Sequence, residues 1–194
     1  MNEKTSLSPT YFDEIYAASD DPWNFETSEY EREKYQTTLD SLPKERYENA
    51  FEIGCSIGVL TQKLALRCDK LLSVDVSEKA LNAAKKRCEN LGNIDLQIMC
   101  VPEQFPDETF DLILVSEVGY YLSAEDWTRT QTLIVQHLKQ SGNVVLIHWT
   151  NFVHDYPQTG DAVHDSFKAL TAKSLSHLGE RREENYRLDV FERF

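Results

Sequence analysis

From Asn49 onward the chain alternates short apolar runs with stretches of helical period, and this alternation limits the fold more than any other feature. The runs are NAFEIG, KLLSVDV, IDLQIMC, FDLILVS and NVVLIHW. Each is almost uninterrupted in its apolar character, as strands covered on both faces are. Between them SEKALNAAKKRCENLG places Ala80, Leu81, Ala84, Cys88 and Leu91 on one helical face, with Ser77 as N-cap and Gly92 as stop. A second helix is expected over AEDWTRTQTLIVQHLKQSG, ending at Gly142. Strand, helix, strand order repeated in this way implies an α/β fold: a doubly wound, mostly parallel sheet with helices on both faces. After Thr150 come a loop, a helix beginning near Asp161, and two strand candidates, HLGERREEN and YRLDVFERF, too closely spaced to pair other than antiparallel.

A chain of 194 residues suits a single domain. Within it, residues 1–42 read as a helical cover broken at Pro22, 43–150 as the sheet core, and 151–194 as a further loop, helix and closing strands. The net charge of -13 argues against nucleic acid as a partner, and Arg181 and Arg182 sit among Glu180, Glu183 and Glu184. No run has membrane-spanning length and the amino end lacks a signal-peptide core, so a cytoplasmic protein without membrane attachment is expected. Cys55, Cys68, Cys88 and Cys100 form no C-x-x-C pair and read as free thiols.

The loop closing the first run, FEIGCSIG, permits two chemistries. G-C-S-I-G fits the nucleophile elbow of a serine hydrolase, with Ser56, Asp111 and His148 in Ser, Asp, His order. Yet such an elbow follows several strands and an oxyanion-hole loop, for which there is no room upstream. A nucleotide loop fits better: Gly54 and Gly58 bracket a turn into VLTQKLAL, allowing close backbone approach to a ligand. Val59 occupies the third-glycine position of a dinucleotide fingerprint, so NAD is not indicated. Asp75 ends the second run 17 residues after Gly58, where a carboxylate can accept both hydroxyls of a ribose. The bland alternative for Asp75 is an acid stabilised at a helix N-terminus.

These residues resemble class I S-adenosylmethionine-dependent methyltransferases. The acid-x-G-x-G-x-G motif of that family is matched by Glu52, Gly54 and Gly58, with Ser56 in place of the middle glycine, and EQFPDETFDLILVSEVGYYL resembles the segment leading into its fourth strand. More narrowly, DPWNFETSEYEREKY, FEIGCSIG and SEVGYYL resemble the nodulation protein S-like N-methyltransferases over most of the chain.

The resemblance implies a Rossmann-like seven-stranded sheet with an antiparallel last strand and an N-terminal helical lid. It implies S-adenosyl-L-methionine as cofactor, S-adenosyl-L-homocysteine as product, and a small-molecule acceptor, an amine of a sugar or metabolite. O-methylation and a non-catalytic nucleoside-binding module stand as alternatives. Glu52, Gly54, Cys55, Ser56, Gly58 and Ser116 would surround the methionine end, Asp75 the ribose, and Val76 and Val101 the adenine. Trp23, Tyr30 and Lys34 would lie on the lid, with Lys34 either reaching the cofactor carboxylate or pairing with Glu31 or Tyr30.

Ligands of such sheets bind beyond the carboxyl ends of the strands. That edge supplies Glu117 and His148 as candidate bases, and Tyr120, Tyr121, Trp149, His154 and His164 as candidate acceptor contacts. His164 could instead pair with Asp161. The three histidines with Asp155 lack the tight spacing of a metal site, so no metal is expected.

Overall fold

The computed structural model describes residues 4–194. Two helices come first, α1 (Pro9–Ala18) and α2 (Glu29–Asp40), the latter capped by the Ser28 hydroxyl. Then follow β1 (Tyr47–Ile53), α3 (Val59–Leu64), β2 (Cys68–Asp75), α4 (Glu78–Arg87), β3 (Ile94–Ile98) and β4 (Phe110–Ser116). A 3-10 turn at Gly119–Tyr121 precedes α5 (Ala124–His137), β5 (Leu138–Trp149), α6 (Gly160–Thr171), β6 (Leu175–Arg182) and β7 (Tyr186–Arg193).

The strands form one sheet in the order β3-β2-β1-β4-β5-β7-β6. The first five are parallel, and β7 inserts antiparallel between β5 and β6. This is the seven-stranded methyltransferase-type sheet expected above. Its chain direction of travel reverses between β1 and β4, the topological switch point at which open α/β sheets bind ligands.

β4 shows why the runs are continuously apolar. Ile113 and Val115 face the core that includes Trp127 and Phe167, while Leu112 and Leu114 face the one that includes Leu39, Leu60 and Leu64. Both faces are covered, so both sets of side chains leave water. In α4, Ser77 accepts the Ala80 N–H as its N-cap, and Ala80, Leu81, Ala84 and Cys88 are buried as the periodicity predicts.

One boundary differs. α5 stops at His137 rather than running to Gly142, because Leu138 leaves helical geometry and pairs with Phe110 of β4. No helix among the described residues is long and apolar enough to cross a membrane.

Candidate functional site: a glycine-loop cavity under two helices

β1 ends in the loop that determines the site. The N–H groups of Gly54 and Cys55 both donate to the Val74 carbonyl, at 2.9 and 3.0 Å, tying the loop to the end of β2. Gly54 has φ +91°, and a Cβ there would stand 2.3 Å from Val118 Cγ2 and 2.9 Å from the Ser116 carbonyl oxygen. Gly58, at φ +81°, begins α3, and a Cβ there would crowd Ala84 at 3.0 Å. Both glycines are therefore demanded by conformation and by close packing.

Asp75, at the end of β2, accepts the Ser56 N–H at 2.8 Å and the Ser77 N–H at 2.9 Å, one on each carboxylate oxygen. Burial pushes its carboxyl up from the ordinary range, against the pull of these backbone donors.

Loop, strand ends and the two N-terminal helices enclose a cavity of about 390 Å³ at the switch point. Of the expected cofactor residues, Trp23, Tyr30, Lys34, Gly54, Cys55, Ser56, Asp75, Val76, Val101 and Ser116 line it. Met99 and Cys100 join Val76 and Val101 on one wall. Aromatic rings complete the lining: Tyr120 stacks on Tyr156 with centroids 5.0 Å apart, and Tyr121 meets Phe12 edge-on at 4.9 Å.

Glu52 does not line the cavity. It is fully enclosed, accepts the Ser73 hydroxyl at 2.7 Å through Oε2, and leaves Oε1 without a hydrogen-bond partner. Burial pushes its carboxyl up to about 7. Gly58 also stands back from the wall and acts through the loop's conformation.

Lys34 lines the cavity and is only 2% exposed, yet its ammonium is held by protein carboxylates, Glu31 at 2.9 Å and Glu117 at 2.7 Å. Burial disfavours this charge, but the two carboxylates outweigh it and hold the ammonium above its ordinary range. Of the two alternatives for Lys34, pairing with Glu31 is the one the geometry contains. Glu117, at φ +59°, uses its other oxygen to accept the Tyr120 hydroxyl at 2.5 Å and the Trp149 N–H at 2.8 Å. It faces the cavity as an anchor that organises three donors from three segments.

The histidine expectations are corrected. His148 is fully buried and off the cavity wall; its Nε2 accepts the Gly119 N–H at 3.0 Å and its Nδ1 meets His164 Nε2 at 3.0 Å. Both ring nitrogens are engaged inside the protein, so His148 is not placed as a base for an acceptor. His164 is likewise fully buried and pairs with Asp189 at 2.6 Å rather than with Asp161. The His154 side chain is 91% exposed beside Asp155, outside the cavity. Trp149, Tyr120 and Tyr121 do line it.

The hydrolase arrangement is absent. The Ser56 hydroxyl pairs with the Tyr16 hydroxyl, Asp111 accepts the backbone N–H groups of Glu48 and Asn49, and His148 contacts neither. His177, Glu180 and Asp189 cluster closely enough to suggest a metal, but the Arg187 guanidinium already fills the position, donating to Asp189 at 2.7 Å and Glu180 at 3.2 Å.

Sequence reasoning missed Tyr16, Phe12 and Glu31 as wall residues. The aromatic pair four positions apart in YFDEIY was the signal for the first two, since it marks the inward face of α1.

The family model described as nodulation protein S (NodS) matches residues 13–182. The chain belongs to the nodulation protein S family. It is 38% identical over 106 residues to nodulation protein S of Rhizobium tropici, covering 54% of this chain and 44% of that protein. Nodulation protein S of Sinorhizobium fredii (strain NBRC 101917 / NGR234) is 34% identical over 132 residues, covering 66% of this chain and 60% of that one. The chain thus spans about half the length of the curated relatives it matches.

Among solved structures, a putative methyltransferase from Pseudomonas syringae superposes with TM-score 0.72 at 35% identity, covering 84% of this chain and 99% of that one. The N-methyltransferase NodS from Bradyrhizobium japonicum WM9 in complex with S-adenosyl-L-homocysteine superposes with TM-score 0.79 at 23% identity, covering 96% and 99%. That second likeness is one of fold.

Proposed function

We propose that this family member is an S-adenosylmethionine-dependent methyltransferase that methylates an amine of a small molecule. One observation carries the reading: a loop that requires left-handed backbone at Gly54, Ser56 and Gly58, clamped to Asp75, opens into a cavity of about 390 Å³ at the switch point. The residues present fit the cofactor, since a nucleoside needs a carboxylate beside a close-approach loop and an apolar slot for the base. Asp75 would hold the ribose hydroxyls, Val76 and Met99 to Val101 would flank the adenine, and Gly54 with Ser116 would face the methionine end. Membership of the nodulation protein S family and the cofactor product bound by the Bradyrhizobium japonicum relative support the same assignment.

When bound, the cofactor supplies a methyl group on an electrophilic sulfonium, so the protein's task is alignment. The wall carries Asp75, Glu31 and Glu117 against one cation, Lys34, an excess of negative charge that favours the cationic sulfonium and the positive charge that passes to the nitrogen as the methyl transfers. Tyr30, Tyr120 and Trp149 add aromatic faces around Glu117, surfaces on which the methylated ammonium formed by transfer is stabilised. With His148 engaged elsewhere, no histidine takes the acceptor's proton. An amine that reaches the cavity neutral needs no base.

Calorimetry with S-adenosylhomocysteine and S-adenosylmethionine, followed by turnover on a panel of amino sugars, simple amines and phenols, tests the proposal. Micromolar binding with methyl transfer confined to amines is the expected result. Binding without transfer to any amine would leave a nucleoside-binding module, and transfer to phenols alone would make the reaction O-methylation.

A further inference from the structure

Ser56 stands where the methyltransferase motif has its middle glycine, yet the backbone keeps the glycine conformation. Its φ is +49°, in the left-handed region that costs a side-chain-bearing residue steric energy. The hydroxyl at this unfavourable position is specifically engaged: it bonds the Tyr16 hydroxyl at 2.5 Å. Tyr16 is the buried residue of α1, 3% exposed, and both partners line the cavity. Burial, and next the Asp75 charge, push the Tyr16 phenol far above its ordinary range, so it stays a neutral O–H able to donate.

The same Ser56 donates its backbone N–H to Asp75 at 2.8 Å. One residue thus joins the first helix, the glycine loop and the acid that would hold the ribose. The other ties of α1 are of different kinds. Lys79 donates to the Tyr16 carbonyl and pairs with Asp20 at the surface, Trp23 meets the Tyr16 ring edge-on at 5.7 Å, and Phe12 packs edge-on against Tyr121 at 4.9 Å. α1 supplies Phe12 and Tyr16 to the cavity wall, so movement of this helix changes how far a bound nucleoside is covered.

We propose that Tyr16 and Ser56 form a hydroxyl latch that holds α1 closed over the ribose end of the cavity, making Ser56 a positioning residue that sets how long the cofactor or its product stays bound. The inference rests on the methyltransferase reading above. Opening the helix exchanges one buried hydroxyl pair for water, and closing it restores the wall beside Asp75. The serine therefore gives the loop a contact with the lid that a glycine could not make.

Stopped-flow dissociation of S-adenosylhomocysteine from the full chain tests this, with Tyr16→Phe, Ser56→Gly, Ser56→Ala and the Tyr16→Phe/Ser56→Gly pair. Each single substitution should speed dissociation by about three- to tenfold, and the pair by no more than either alone, since one hydrogen bond is removed in all of them. Ser56→Gly supplies the reading that a merely structural role would not move. It relieves the left-handed strain, so its thermal midpoint should equal or exceed the wild type while its ligand leaves faster. Wild-type dissociation rates in Ser56→Gly and Tyr16→Phe, or effects that multiply in the pair, would overturn the latch while leaving the cofactor assignment standing. A wild-type chain that binds no S-adenosylhomocysteine would overturn the cofactor assignment, and the latch with it.

Discussion

His148 accepts the backbone N–H of Gly119 through Nε2 at 3.0 Å, and this bond determines the protonation of a buried chain behind the cavity. With Nε2 accepting, the neutral ring carries its proton on Nδ1, which donates to His164 Nε2 at 3.0 Å. His164 in turn donates from Nδ1 to Asp189 at 2.6 Å, whose other oxygen accepts His177 and whose charge Arg187 balances. The far end of the chain fixes the turn Gly119–Tyr121, and so places Tyr120 against Glu117.

His148→Ala should therefore lower stability by about 1 to 3 kcal/mol, the cost of leaving the Gly119 N–H and the His164 Nε2 unpartnered. Loss of turnover should appear mainly in KM and stay flat with pH, since the residue orients and does not transfer a proton. A kcat fall rescued by raising the pH would restore His148 as a base.

Acid should destabilise the wild type through the same histidines. Burial holds His148 well below its ordinary range, and His164 is also lowered. The unfolded chain then binds protons that the folded chain refuses, so stability is full above the ordinary histidine value and falls as pH drops below about 6.5. Thermal midpoints measured from pH 8 to pH 5 should decline toward the acid end, and His148→Phe should flatten part of that slope.

Gly54→Ala should abolish S-adenosylhomocysteine binding and cost at least about 2 kcal/mol, combining left-handed strain with overpacking. Val118→Ala should not rescue it. Removing Val118 Cγ2 clears the 2.3 Å contact but leaves the Ser116 carbonyl at 2.9 Å and φ at +91°. Calorimetry on the double variant checks this, and wild-type affinity there would mean the loop can be rebuilt around a side chain.

Asp75→Asn should weaken S-adenosylhomocysteine by about 10- to 100-fold, from the loss of charge-assisted hydrogen bonds. Asparagine retains one carbonyl acceptor for the loop, so the fold should survive better than in Asp75→Ala, which strands the N–H groups of both Ser56 and Ser77. Calorimetry beside a melting curve separates the two effects.

The sheet and the glycine loop were legible because their signals are local. FDLILVS is apolar without alternation, and Gly54, Gly58 and Asp75 lie at or just beyond the ends of two adjacent strands. The partners of Lys34 and His148 were not, because the deciding contacts join segments far apart: Lys34 meets Glu117 across 83 positions and His148 meets Gly119 across 29. A histidine at a strand's carboxyl edge reads as exposed to ligand until α6 and the 119–121 turn are known to cover it. The end of α5 failed for a related reason. Helical period continues through Leu138, and pairing with Phe110 overrides it.

Lys34→Met should be the most destabilising of these changes, by about 3 to 5 kcal/mol, because it leaves Glu31 and Glu117 together without their shared cation. Burial already pushes the Glu31 carboxyl up even with Lys34 beside it, and removing the ammonium pushes it further. A carboxyl raised above its unfolded value stabilises the fold when protonated, so this contribution is complete at low pH and is lost as pH rises through the folded value. The variant should thus gain in thermal midpoint relative to wild type as pH is lowered from 8 toward 5. Lys34→Met/Glu31→Gln, which removes one of the two stranded charges, should recover much of the loss at pH 8. If Lys34→Met melts as the wild type does at pH 8, the buried trio contributes nothing to the fold, and Lys34 would be free to serve a ligand carboxylate instead.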